Sequence, residues 1–446
     1  MDGQATPSSD PSPPTDAALN ALTDVFDEIR LGRSRSRSEI VEHTGLSRSI
    51  VVRRMSDLLD RDLVFEGEAG PSTGGRPPRH LGFRGDAGHL LVADLGATSM
   101  DVAATTLDGR ILRHAAEKTD IAAGPEIVLG RVEELFREFE AATPPSPGPL
   151  WGIGIGVPGP VEFRSGRPVS PPIMPGWDGY PVRERFAERF GAPVWVDNDV
   201  NVLGLAEWRA GAATGHENVI VVKVGTGIGA GIISDGRLHR GAQGAAGDVG
   251  HIQISEDGSV ICRCGNVGCL EALAGGGAIA RDGEGAARDG RSPRLRLLLE
   301  ERGVLTAEDV ANAAAHGDPV CVTLIQAAGT RIGSMLAGVV NFFNPSLIVI
   351  GGGVGQSGDR FLASIREAVY RRSLPLATRD LRVVPSGLGA MAGVIGAATM
   401  VADELFSRER LAETLAWASR HTLAPAVAAA PARSSAPAGS LAGAAR

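Results

Sequence analysis

His251, followed eleven residues later by Cys262-Arg263-Cys264-Gly265-Asn266-Val267-Gly268-Cys269-Leu270-Glu271, is the stretch that decides how the rest of the chain reads. Three of the four cysteines fall within these eight positions from 262 to 269. Two thiolates one residue apart, a third beyond a Gly-rich turn and one imidazole make a Cys3His set, the composition of a closed tetrahedral zinc site. Gly265 and Gly268 let the backbone turn tightly enough for the sulfurs to converge. His251, Cys262, Cys264 and Cys269 are therefore the expected ligands of a structural zinc ion. The competing reading is a group of free thiols that happens to lie near a histidine.

The 446 residues leave room for two or three domains. A net charge of -8 argues against a general nucleic-acid binder, so any DNA contact must come from a local basic surface. With three of four cysteines committed to a metal, no disulfide framework remains, which suits a reducing cytoplasm. No run of eighteen apolar residues occurs, and Met1 to Thr15 is acidic and rich in Pro and Ser. Neither a membrane span nor a secretory signal is expected.

Outward from the cysteines, the pattern alternates. Leu90-Leu91-Val92-Ala93-Asp94 is an apolar run closed by an acid and soon followed by glycine, which reads as a buried strand and turn. Trp151 to Gly156, Val219 to Gly225 and Leu347 to Gly353 repeat that form, and Val194 to Asp197 is a shorter version. Helical patterns cover Glu126 to Ala142, Val200 to Ala210 and Val320 to Phe343. The expectation is an α/β fold with mixed sheets. Thr143 to Pro149 and Arg281 to Pro293 are expected to be loops, and residues 1–16 and 421–446 disordered tails.

Residues 17–84 read differently. Leu19, Leu22, Phe26 and Ile29 give a first helix one apolar face. A second helix from about Ser38 stops at Thr44-Gly45, and Ser47 is a good N-cap for a third that carries Val51, Met55, Leu58 and Leu59 on one side. Helix, short Gly-containing turn, helix is the helix-turn-helix signature. Arg48, Ser49, Val52 and Arg53 sit at the end of the third helix that such modules insert into the major groove. Between Ile29 and Arg54, seven arginines (30, 33, 35, 37, 48, 53 and 54) face two acids, Glu39 and Glu42. Leu63 to Glu66 and His80 to Phe83 look like wing strands, joined by a loop whose Arg76 and Arg79 suit phosphate or minor-groove contact. Operator DNA is the expected partner.

The zinc stretch, with Gly247-Asp248-Val249-Gly250-His251 before it, resembles the ROK family (repressor, open reading frame, kinase), which places sugar kinases and sugar-sensing repressors on one scaffold. Asp94-Leu95-Gly96-Ala97-Thr98-Ser99 and Val224-Gly225-Thr226-Gly227 resemble the two phosphate loops of the sugar-kinase/actin-like ATPase superfamily, and Gly351-Gly352-Gly353 its adenosine-side turn. The resemblance implies a two-lobed sugar-kinase/actin-like domain over residues 88–405, preceded by a winged helix-turn-helix. It implies nucleotide contacts at Asp94, Gly96, Thr98, Gly225, Thr226, Gly227 and Gly352, with ATP and magnesium if the chain is a kinase. It implies sugar contacts at Asn198, Asp199, Asp248, His251 and Glu271, with Asp199 as general base in a kinase.

Three departures from the family pattern point away from catalysis. Ala97 puts a methyl where a glycine backbone should approach phosphate, Ser99 stands for the usual lysine, and Pro171 to Trp177 lacks the kinases' asparagine. Asp248 also stands where kinases carry glutamate. The expected function is a sugar-responsive transcriptional regulator of carbohydrate genes, a repressor acting as a homodimer or homotetramer with a sugar or sugar-phosphate effector. The alternative is an ATP-dependent sugar kinase with an appended DNA-binding domain. A regulator that reads a phosphorylated transport protein is not separable from these by sequence.

Overall fold

A computed structural model describes residues 16–69, 79–142 and 148–421. Of the expected tails 1–16 and 421–446, Asp16 and His421 belong to helices, and the remainder, with 143–147 and most of the wing loop, 70–78 with Arg76, lies outside the described residues.

The first module is three helices, α1 (Asp16–Arg30), α2 (Arg37–Thr44) and α3 (Arg48–Leu59), and an antiparallel hairpin of β1 (Val64–Ala69) and β2 (Arg79–Phe83). Each boundary has a local cause. Ser36 caps α2 by accepting from the Glu39 amide, and Gly45 ends it in the left-handed region at φ +67°. Ser47 Oγ accepts from the Ile50 amide to start α3. Ile40, Val51, Met55 and Leu58 are buried beneath Val25, Phe26 and Ile29 of α1, while Leu59 is only half-buried.

The first lobe follows: β3 (His89–Leu95), β4 (Ser99–Thr106), β5 (Ile111–Lys118), α4 (Pro125–Ala142), β6 (Leu150–Val157), the small hairpin β7 (Val161–Glu162) and β8 (Arg167–Pro168), α5 (Val182–Phe190), β9 (Val194–Asn198) and α6 (Asp199–Ala210). The second lobe holds β10 (Val219–Val224), β11 (Ile228–Ser234), β12 (Arg237–Leu238), α7 (Leu270–Ala274), α8 (Gly276–Arg288), α9 (Pro293–Arg302), α10 (Ala307–Ala315), α11 (Pro319–Phe343), β13 (Leu347–Gly351), α12 (Asp359–Arg372), α13 (Pro375–Thr378) and β14 (Arg382–Pro385). Two last helices, α14 (Ala392–Leu405) and α15 (Leu411–His421), return to the first lobe.

The two sheets are built alike. Strand order is β5-β4-β3-β6-β9 in one and β12-β11-β10-β13-β14 in the other. In each, the opening strand pairs antiparallel with the next and parallel with a later one, which pairs parallel with the last. The inner strands β3, β6, β10 and β13 are buried almost throughout, which is why they read as unbroken apolar runs. The ends of β3 and β10 face a common cleft, the position where open α/β sheets take ligands.

One expectation is corrected. Arg281 to Pro293 is not a loop, since α8 runs to Arg288 and α9 starts at Pro293. The glycines that lower helix propensity there allow close packing: a Cβ on Gly283 would lie 2.5 Å from the Val310 side chain. Beyond the expected span 88–405 the chain adds one more packed helix. Phe406, Leu411 and Leu415 are buried in one core with Phe26, Trp151 and Val401, so α15 closes over the junction between the first module and the first lobe. Among the described residues, α11 is long and apolar enough to cross a membrane, but half of its most apolar window is buried and it packs on α12 like a core helix.

Candidate functional site

The metal-ligating set converges as its spacing requires. Nδ1 of His251 and the sulfurs of Cys262, Cys264 and Cys269 form a cluster whose ligand atoms lie within 4.8 Å of one another. His251 Nδ1 is 3.5 Å from Cys262 Sγ, and Cys264 Sγ is 3.8 Å from Cys269 Sγ. A tetrahedron with zinc–sulfur bonds of about 2.3 Å and zinc–nitrogen bonds of about 2.0 Å has edges of about 3.8 Å and about 3.5 Å. Burial and the neighbouring thiols Cys264 and Cys262 push the Cys269 thiol up to about 12, a penalty that a dication among the sulfurs removes. Gly268 makes the turn possible: its φ is +69°, and a Cβ there would sit 1.9 Å from the Ser255 carbonyl oxygen. The donor set fits zinc.

The other imidazole nitrogen, Nε2, faces Asp248 at 3.8 Å and the cleft beyond. That cleft, about 960 Å³, is lined by every expected sugar residue (Asn198, Asp199, Asp248, His251 and Glu271) and by six of the seven expected nucleotide residues. Gly352 is the exception. Its Cα is pressed against the Val224 backbone, where a Cβ would lie 2.5 Å from the carbonyl oxygen, and Gly353 takes its place in the lining.

Partners divide these residues by role. Asn198 is occupied with backbone: its Nδ2 donates to the Gly159 carbonyl at 2.6 Å and its Oδ1 accepts from Val200 N, capping α6. Glu271 Oε2 accepts from the Ile228 amide at 3.1 Å, tying the zinc segment to the second phosphate loop. Asp248 has no such anchor among the described residues, and burial raises its carboxyl while His251 pulls the other way. Asp199, at the first turn of α6, accepts from Lys223 Nζ at 2.7 Å, and Lys223 also stands 4.0 Å from Asp94. Burial lowers the Lys223 ammonium, but Asp199 and Asp94 outweigh it and raise it. Burial pushes the Asp94 carboxyl up to about 6 despite Lys223, with Asp199 and Asp101 adding to the rise.

Lys223 is the cleft residue that sequence reasoning missed. The signal was present: the chain has only two lysines, Lys118 and Lys223, and the latter interrupts the apolar run Val219-Ile220-Val221-Val222 directly before the glycine loop.

On the first module, Arg48, Ser49, Val52 and Arg53 are all exposed on one side of α3. Arg79 is exposed but paired with Glu66 at 3.3 Å. The arginine-rich window is less uniformly basic than its count suggests, because Arg30 is buried in ion pairs with Asp27 and Asp403 and Arg54 is paired with Asp57.

The ROK family model matches residues 90–404. The chain belongs to the ROK family. A glucokinase from Halalkalibacterium halodurans is 32% identical over 321 residues, covering 97% of that enzyme but 72% of this chain. A xylose repressor from Caldicellulosiruptor bescii is 32% identical over 372 residues, covering 92% of the repressor and 83% of this chain. The same contrast holds among solved structures. A ROK family transcriptional regulator, a homologue of the E. coli MLC protein, superposes with a TM-score of 0.76 at 27% identity over 90% of this chain and all of its own. A ROK glucokinase from Streptomyces griseus, in complex with glucose and AMPPNP, reaches 0.62 at 29% identity over 70% of this chain and 98% of its own. Regulators match beyond the ROK domain, and the kinases end with it.

Proposed function

We propose that this ROK protein is a sugar-responsive DNA-binding regulator, a repressor of carbohydrate-metabolism genes. Residues 17–84 are its DNA-binding domain, and residues 88–405 with α15 its effector domain. The observation that carries this reading is the exposed face of α3 on a module that shares one hydrophobic core with the sugar-lobe helix α14. Relatives named xylose repressor and glucokinase support a sugar as effector.

Arg48, Ser49, Val52 and Arg53 contact operator bases and phosphates, with Arg76 and Arg79 reaching from the wing. A homodimer, or a tetramer made of two, sets two such helices about 34 Å apart, one turn of DNA. In the cleft, Asp199, Asp248 and Glu271 accept sugar hydroxyls, His251 Nε2 meets another, and Asn198 holds the Gly159 turn beneath the ring. Zinc bound by His251, Cys262, Cys264 and Cys269 fixes the segment that carries Glu271 and orients the His251 ring. Sugar binding between the lobes favours a closed form, and the coupling to operator affinity amounts to about 1 to 3 kcal/mol. An operator gel shift against a panel of sugars tests this: one sugar should change affinity about 5- to 150-fold. Affinity indifferent to the whole panel removes the sensing step.

A second reading, an ATP- and magnesium-dependent sugar kinase, is favoured by Asp94, Thr98, Asp199 and both glycine loops lining one cleft. ADP release with glucose, mannose or N-acetyl sugars, lost in Asp199→Asn, would establish it.

A further inference from the structure

Asp94 and Lys223 are the same residue of the duplicated fold. Each is the penultimate residue of the strand that opens its sheet, β3 or β10, and each precedes an apolar residue and a glycine, Leu95-Gly96 or Val224-Gly225. The two sheets present their equivalent positions to each other across the cleft floor, one as carboxylate and one as ammonium. Asp199 joins them from the start of α6, 2.7 Å from the same ammonium. None of the three side chains is more than a quarter exposed.

Asp94 is held there by backbone. Cβ atoms on Gly156 and Gly393 would lie 2.7 Å and 2.1 Å from Asp94 carboxylate oxygens, so two glycines form the walls of its socket. Asp94 Oδ1 is buried without a hydrogen-bond partner among the described residues. Among those residues, Lys223 is the cation that reaches either acid. In a chain with 44 basic residues but only two lysines, the cation between these two carboxylates is a compact ammonium and not a guanidinium.

Magnesium, which the kinase branch of this fold implies, does not fit this arrangement. A dication drawn to Asp94 and Asp199 would have to displace a tethered, partly buried ammonium or sit beside it in a site of low dielectric. We infer that Lys223 is the resident cation of the cleft: it ties the two lobes through Asp94 and Asp199, and the cleft therefore takes an uncharged polyol without a divalent metal. This deepens the sugar-sensing reading and rests on it, but its test needs no sugar.

The test is Mn²⁺ titration of the full-length protein with its cysteine cluster zinc-loaded, following free Mn²⁺ by EPR. Wild type should show no Mn²⁺ site that Asp94→Asn removes. Lys223→Met, which leaves two uncompensated carboxylates, should gain one site about tenfold or more tighter than any in wild type, and Lys223→Met/Asp94→Asn should lose it. A wild-type Mn²⁺ site abolished by Asp94→Asn overturns the inference, and so does a folded Lys223→Met protein that gains none. If Lys223→Met does not fold, the wild-type and Asp94→Asn pair alone decides. A gel shift that responds to no sugar would defeat the sensing reading and leave these metal outcomes as they stand.

Discussion

Arg30 of α1 donates from Nη1 to Asp403 of α14 at 2.8 Å, joining the N-terminal helical module to the first lobe across 373 residues of chain. The guanidinium is 7% exposed, also pairs with Asp27, and lies over the Phe406 ring. The other end of α14 reaches the cleft, where Gly393 walls in Asp94 and Gly396 packs on the Val202 carbonyl of α6. One helix thus touches an acid of the cleft at its start and the N-terminal module at its finish. Asp403→Ala removes a charged hydrogen bond and should lower stability by about 2 kcal/mol. It should also shrink the sugar-induced change in operator affinity, leaving sugar affinity itself near wild type. Thermal melts and gel shifts with and without sugar measure both; a full response in the variant would show that coupling bypasses this pair.

Gly396 permits the contact between α14 and α6, since a Cβ there would sit 1.9 Å from the Val202 oxygen. Gly396→Ala should force the helices apart at a cost of about 1 to 3 kcal/mol. Chemical denaturation reads the loss, and a variant as stable as wild type would mean the two helices separate freely.

Zinc content should be about one ion per chain by elemental analysis, as a single Cys3His set requires. Cys264→Ser should lose that ion, melt earlier and bind sugar more weakly, because Glu271 and His251 both lie on the segment the ligands hold. Metal-free wild type with unchanged melting and unchanged sugar response would refute a structural role.

Arg53→Ala should weaken operator binding by about 1 to 3 kcal/mol if the side chain reads a base, or lower the salt slope by about one if it holds a phosphate. Binding equal to wild type at every salt concentration would exclude α3 as the reading helix.

Asp94 provides a pH signature. Its folded carboxyl titrates near 6 against an ordinary 3.8, so the folded state holds the proton more tightly than the unfolded chain. Stability therefore falls as pH rises from about 4 to about 6 and changes no further through this group. Asp94→Asn should gain on wild type across that window, by on the order of 3 kcal/mol at most. Melting curves between these limits that run parallel for the two proteins would contradict the assignment.

Most of the scaffold was legible because its signals are local. Ser47 and Gly45 mark helix ends by their own hydrogen bonding and φ, the buried strands read as apolar runs, and the Cys262 to Cys269 spacing needs only a tight turn to close. The misreading at Arg281 to Pro293 has the opposite cause, since glycine-rich α8 is helical because Val310 packs where Gly283 has no side chain. Which glycine of Gly351-Gly352-Gly353 lines the cleft is likewise a tertiary outcome, since Gly352 is pressed on the Val224 backbone and Gly353 faces the cavity.

The sequence by itself determined the recurring strand-and-glycine units, the Cys3His set and the arginine-bearing third helix, because each is written within a few consecutive residues. Only the tertiary structure decided that Lys223 stands between Asp94 and Asp199, that Arg30 is a buried strut and not a DNA contact, and that α15 closes the junction. Those outcomes depend on which distant charges and apolar faces meet when two sheets and a helical module pack together, and no local pattern encodes that meeting.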